Sequence, residues 1–174
     1  MKTIETIKEF DKFLNKRGLT FSAIVVGGSA LALLGIISRE TQDCDILDPD
    51  IPDEIQNAAK EFAKQESLKD HWLNNGPSTL KRDLPSGWML RLTKIFSGEA
   101  MTLYTLSRMD LLRSKLFAYC DRGFDLQDCL ALKPTPEELQ EILPWLQERD
   151  GNPDWSEHVA KIISDLAQRL GHEL

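Results

Sequence analysis

Asp43 and Asp45 are the residues best placed to do chemistry, and thirteen intervening residues separate Asp43 from Gly27-Gly28-Ser29. If Asp43-Cys44-Asp45-Ile46-Leu47 is a strand, its alternate residues share a face, so the two carboxylates project together. The apolar run Ile24-Val25-Val26 enters the glycine turn and a short apolar helix follows. The chain returns with the acidic pair aimed at whatever sits above that turn. Two converging carboxylates are hard oxygen donors, suited to Mg²⁺ carrying a nucleotide's phosphates. A calcium loop built from Asp43, Asp45, Asp48, Asp50 and Glu54 is excluded. Asp48 stands where such a loop needs glycine, and Leu47 stands where it needs an oxygen ligand. Alone, a glycine pair serves any tight strand-to-helix turn, and Asp-x-Asp serves as a polar strand edge. Their order on one strand, turn, helix and strand frame carries the reading.

Elements able to position these residues follow from periodicity. Ile4, Ile7, Phe10 and Leu14 mark an amphipathic helix that stops at Arg17-Gly18. Phe21 to Val26 reads as a buried strand, Ser29 to Leu34 as a short helix ending at Gly35, and Cys44 to Leu47 as a second strand. Pro52 opens a helix to about Gln65, with Ile55, Ala58, Ala59 and Phe62 inward. A turn-rich middle leads to a strand expected over Trp88 to Phe96 and an antiparallel neighbour over Met101 to Leu106. Beyond Ser107 the chain turns helical. Thr135-Pro136-Glu137-Glu138 is a capping box, Pro144 should kink or divide the helix it starts, and Val159 to Leu170 forms the last helix. Trp145 and Trp155 are expected to pin this tail. The expected fold is α/β (α+β), a small mixed sheet flanked by helices with a C-terminal helical tail, divided as a core over 1–106 and a helical region over 107–174.

A hydrophobic content of 41% and a charged content of 28% are those of an ordinary globular chain, and a formal charge of −7 argues against nonspecific binding to a nucleic-acid backbone. The basic group Lys81, Arg82, Arg91 and Lys94 reads as a solvated strand edge. No signal-peptide pattern and no membrane-spanning run is present, which points to the cytoplasm. Cys44, Cys120 and Cys129 match no zinc spacing and read as small buried hydrophobes, and His71, His158 and His172 have no partner at ligand spacing.

Val25-Val26-Gly27-Gly28-Ser29 with Asp43-Cys44-Asp45 resembles the hallmark of the nucleotidyltransferase superfamily. Arg39-Glu40-Thr41, the Lys115 segment Asp110 to Leu116, and Asp121-Arg122 leading to Asp125 and Asp128 are similar to its small bacterial branch of abortive-infection-type (AbiEii-like) toxins and related domains of unknown function. The resemblance spans roughly 20 to 132. It implies an enzyme that transfers a nucleotide from an NTP to a hydroxyl acceptor with Mg²⁺ as cofactor. Asp43 and Asp45 would hold the metal. Gly27 and Gly28 would let the backbone approach phosphate, with the Ser29 hydroxyl binding its oxygens. Lys115 would reach the triphosphate or compensate the carboxylates. Asp125 and Asp128 would orient Lys115 or contact base and ribose, unless they form only a salt-bridge network. The resemblance also implies a cognate antitoxin or other protein partner in a toxin-antitoxin or phage-defence system. A nucleic-acid acceptor is compatible with it but not indicated by the net charge, and no membrane is involved.

The chain departs from the superfamily at one point. Active members usually bring a third carboxylate from a later strand, whereas Trp88 to Phe96 offers Arg91 and Lys94, with Asp83 and Glu99 only flanking it. That departure favours a second reading, a catalytically inactive relative acting as a protein-binding module.

Overall fold

The computed structural model describes residues 1–173, and its contacts group into two compact units. The first comprises Met1–Arg82 with Ser86–Ser107, and the second comprises Asp83–Pro85 with the chain from Arg108 onward.

The first unit is built on a five-stranded mixed sheet. Its strands are β1 (Phe21–Val26), β2 (Cys44–Asp48), β3 (Leu73–Asn74), β4 (Thr93–Ser97) and β5 (Met101–Thr105), in the order β3-β2-β1-β5-β4. The β1 strand pairs antiparallel with β2 and parallel with β5, so it is the centre of the sheet. Its β-branched and apolar residues suit that position, and Ala23 to Val26 are all buried.

The helices of this unit are α1 (Thr3–Asn15), α2 (Gly27–Leu33) and α3 (Asp53–Glu66). Ile7, Phe10, Phe13 and Leu14 of α1 are buried, whereas Ile4 is 45% exposed, so Phe13 rather than Ile4 completes the inward face. Phe10, Phe13, Phe62 and Trp72 form one aromatic cluster with centroids 5.1–6.2 Å apart, joining α1, α3 and the approach to β3. The Trp72 indole N–H donates to the Ala59 carbonyl at 3.1 Å, so its one polar atom is satisfied.

The strand expected from Trp88 begins only at Thr93. Trp88–Arg91 is a 3₁₀ turn instead, entered from Gly87 at φ 75°. The turn buries Trp88 and leaves Met89 and Leu90 outside, a division that does not follow a two-residue period. The antiparallel β4–β5 pairing forms as the sequence predicts. Its connection is fastened by a residue that periodicity does not single out. Buried Asp11 of α1 accepts the backbone N–H groups of Glu99, Ala100 and Met101 at 3.0, 2.9 and 2.7 Å. Gly98 is obligatory beside it, because a Cβ there would overlap the Asp11 carboxylate.

The second unit holds α4 (Arg108–Arg122), α5 (Leu126–Leu132), α6 (Pro136–Gln147) and α7 (Trp155–Arg169). The α6 capping box is complete: Thr135 Oγ1 accepts from Glu138 N, and Glu138 Oε2 accepts from Thr135 N. Pro144 does not divide this helix. It lies within the last four residues of α6, and the intrahelical bond it forfeits is the one to the carbonyl of Gln140, an exposed residue. Phe117 packs edge-on against Trp145 and Trp155, and the Trp155 N–H donates to Leu146 O at 2.8 Å, so the two tryptophans tie α4, α6 and α7 together. All three cysteines are buried, and burial pushes the thiols of Cys120 and Cys129 up to about 12. Among the described residues no helix is long and apolar enough to cross a membrane.

Candidate functional site

The turn after β1 and the start of β2 are locked together by two contacts. Gly27 sits at φ 71°, in the left-handed region, and a Cβ on it would lie 2.7 Å from Asp45 Oδ2. Only glycine therefore fits, both for the backbone angle and for the carboxylate pressed against it. The second contact is the Ser29 hydroxyl, which donates to the backbone carbonyl of Asp43. Asp43 precedes the first residue of β2 and Asp45 follows it, and both are half-buried. Cys44 between them is fully buried, so the alternation that puts the two aspartates on one side is present. Burial raises the pKa of the Cys44 thiol, with the nearby charge of Asp45 adding to the effect, and the thiol stays neutral between the carboxylates.

Ser29 is itself 1% exposed, and its hydroxyl also meets Thr41 Oγ1 at 3.2 Å. Thr41 Oγ1 in turn meets Thr3 Oγ1 at 2.9 Å. The hydroxyl expected to touch phosphate is therefore engaged inside the protein, where it ties the turn to the acidic strand and to α1. Gly28 is the other close approach: a Cβ there would press on the Thr41 methyl at 3.3 Å, and the Arg39 guanidinium would lie in ordinary contact with it at 3.5 and 3.8 Å.

This donor set suits one Mg²⁺, with two carboxylates from the chain and the other positions left to water and phosphate oxygens. Among the described residues no group of three His, Cys, Asp or Glu side chains gathers in a form that could hold a metal. The two flanking acids are committed elsewhere. The Glu99 carboxylate accepts from the Asn15 amide, and Glu99 lies near the Phe21–Met101 end of the sheet. At roughly 3.3 Å per residue, that end is about 20 Å along the chain from Gly27. Asp83 belongs to the second unit, where its carboxylate faces Arg149 at 3.8 Å and its carbonyl accepts from Trp145 and Arg149. On the side of β1 away from β2 the neighbouring strand is β5, whose five residues include no acid. Its Thr105 hydroxyl donates to Val25 O at 2.7 Å.

In the second unit Lys115, 6% exposed, donates to Asp125 at 3.0 Å and to Asp128 at 2.8 Å. The three residues expected to act together thus do meet, as one salt-bridged cluster. Asp125 stands at φ 71° just before α5, which turns its side chain back toward α4. Two features escaped the site list drawn from sequence, Arg39 beside Gly28 and the Thr3–Thr41–Ser29 hydroxyl chain. Arg39 carried a signal, its place four residues before Asp43, but nothing local specifies that it folds back over the turn.

Residues 2–133 match the family described as nucleotidyltransferase of unknown function (DUF6036). No curated protein sequence matches the chain. Among solved structures, the fold is similar to that of an antigenic nucleotidyltransferase-like protein from Paracoccidioides brasiliensis. The TM-score is 0.50 and the identity 15%, over 99% of this chain and 94% of that one.

Proposed function

The chain belongs to the DUF6036 family of nucleotidyltransferases of unknown function, and on that premise we propose that it binds an NTP with Mg²⁺ and transfers a nucleotide to a hydroxyl acceptor. The observation that carries this reading is the Asp45 carboxylate held against Gly27 while Ser29 holds Asp43. The Asp45 carboxylate thus lies beside the glycine turn, and the backbone of Asp43 is fastened to the same turn.

In the proposed reaction the acceptor oxygen forms a bond to the α-phosphorus, the bond from that phosphorus to the pyrophosphate oxygen breaks, and the acceptor proton passes to solvent. Such chemistry depends on positioning and charge neutralisation rather than on a covalent step by the protein. Asp43 and Asp45 would hold Mg²⁺, which when bound shields phosphate charge and activates the reacting phosphorus. Gly27 and Gly28 admit the phosphate chain, and Ser29 acts from behind by fixing the turn. Lys115 with Asp125 and Asp128 enters the proposal as a preformed charge cluster of the helical unit. A cytoplasmic setting in a toxin-antitoxin or phage-defence pair, with a cognate protein partner, is supported by the likeness of these motifs to AbiEii-like toxins.

A second reading, a catalytically inactive protein-binding module, is favoured by the absence of an acid on β5. Thermal unfolding with each NTP, with and without Mg²⁺, separates the two. A ligand at a hundred times its dissociation constant stabilises by about 2.7 kcal/mol. The nucleotide reading expects a Mg²⁺-dependent shift that disappears in Asp43→Asn/Asp45→Asn. No shift with any nucleotide, in a protein that unfolds cooperatively, would decide for the binding module.

A further inference from the structure

We propose that Thr41 is a positioning residue of the metal site, setting where Asp43 stands through a one-way relay of three buried hydroxyls; this rests on the nucleotide reading above. The relay runs from Thr3 on α1 through Thr41 to Ser29 on α2, and it ends on the backbone carbonyl of Asp43. Its members are 5%, 3% and 1% exposed, so each finds its partners inside the protein.

The direction of the relay follows from its protons. A hydroxyl has one proton to give and two lone pairs to receive with. The Asp43 carbonyl can only accept, so the Ser29 proton is spent there. Ser29 must then accept from Thr41 at 3.2 Å, and Thr41, its own proton spent, must accept from Thr3 at 2.9 Å. The Cys44 thiol also meets the Ser29 hydroxyl, and because burial keeps that thiol neutral it too can only donate there. Ser29 is thereby saturated, with one bond given and two received. Reversing the Thr41–Ser29 link would break the bond to Asp43, and reversing the Thr3–Thr41 link would set lone pairs of Thr41 and Ser29 against each other. The network therefore holds one arrangement rather than several.

Thr41 is gripped on its other sides as well. Its backbone N–H donates to Met1 O at 3.2 Å, and its methyl lies 3.3 Å from the point a Gly28 Cβ would occupy. One threonine thus touches both halves of the site. The methyl packs over the second glycine of the turn, and the hydroxyl fixes, through Ser29, the residue that leads into β2. A metal ligand keeps its place only as well as the groups behind it keep theirs, and contacts of this outer kind typically carry about ten- to a hundredfold in metal affinity.

The test measures by calorimetry the Mg²⁺ concentration needed for half-maximal binding of each of the four ribonucleoside triphosphates. It compares natural protein with Thr41→Val, Thr41→Ser, Thr3→Val and Asp11→Ala. Thr41→Val keeps the branched shape and loses the hydroxyl, so the Mg²⁺ requirement should rise about tenfold. Thr41→Ser keeps the hydroxyl and should bring the requirement most of the way back. Thr3→Val removes only the first donor and should raise it less than Thr41→Val does. Asp11→Ala disturbs the far end of β1 and should leave it as in the natural protein. An unchanged requirement in Thr41→Val would overturn the assignment. So would Thr41→Ser as impaired as Thr41→Val, which removes the hydroxyl as the cause, or Asp11→Ala as impaired as Thr41→Val, which marks general destabilisation. Should Thr41→Val fail to fold, Thr3→Val against Asp11→Ala decides in the same way. The underlying nucleotide reading fails separately: it falls, and this inference with it, if the natural protein binds no triphosphate in Mg²⁺ or if Asp43→Asn/Asp45→Asn binds as tightly as the natural protein.

Discussion

Two aspartate pairs occupy this molecule, and they are held by different means. Asp125 and Asp128 flank the start of α5 and close on the ammonium of Lys115 at 3.0 and 2.8 Å, with Asp128 and Lys115 both buried. Asp43 and Asp45 sit on either side of a buried cysteine and are positioned through the backbone, one by the Ser29 hydroxyl and the other against Gly27. The first pair is arranged around a cation the chain supplies itself. The second is arranged around a turn stripped of side chains, and its carboxylates are only half-buried. A charge pair built into the interior stabilises through its buried partner, whereas half-buried carboxylates beside a turn remain within reach of solvent.

Substitutions at the two pairs should therefore separate stability from binding. The largest loss of stability is expected for Lys115→Met, which leaves two carboxylates facing each other in a buried setting. About 3–5 kcal/mol should be lost in a denaturant titration, and adding Asp128→Asn should recover a good part of it. If Asp45→Asn destabilised as much as Lys115→Met, the contrast would collapse.

Asp11 offers a third arrangement, a carboxylate satisfied by backbone N–H groups alone. Asp11→Ala would strand three donors at the β4–β5 connection, and a loss of about 3 kcal/mol is expected by the same titration. Gly27→Ala forces a left-handed angle on a residue with a side chain, at about 1–2 kcal/mol, and displaces the Asp45 carboxylate. It should abolish Mg²⁺-dependent nucleotide binding while leaving the protein folded. Retained binding in that variant would break the link between Gly27 and the acidic pair.

The smallest effect concerns pH. The hydrogen bond from Arg108 holds the Glu138 carboxyl below its ordinary value of 4.5. Its contribution to stability is complete above that value and is lost as pH falls through the lowered folded value. Glu138→Gln should thus lower stability slightly at neutral pH, leave it nearly unchanged where Glu138 is already protonated, and so flatten the acid limb of a stability-versus-pH curve.

Much of the frame was legible in sequence because it is local. The glycine turn, the alternation around Cys44, the inward face of α3, most of that of α1 and the capping box of α6 each depend on residues close together along the chain. The 3₁₀ turn at Trp88–Arg91 was not legible. Its alternating apolar pattern is that of a strand, and the burial of Trp88 with the left-handed Gly87 overrides it. Pro144 does not divide α6, because the one bond it forfeits lies near the helix end.

By itself the sequence determined that two carboxylates share one side of a strand that returns to a glycine turn, because strand alternation and glycine's access to positive φ are properties of short segments. Tertiary structure decided which other charges matter. Lys115 closes on Asp125 and Asp128, Asp11 reaches residues 88 to 90 positions away, Glu99 falls at the far end of β1, and Arg39 folds over Gly28. Those outcomes follow from strand order and from packing between distant segments, which no spacing along the chain specifies.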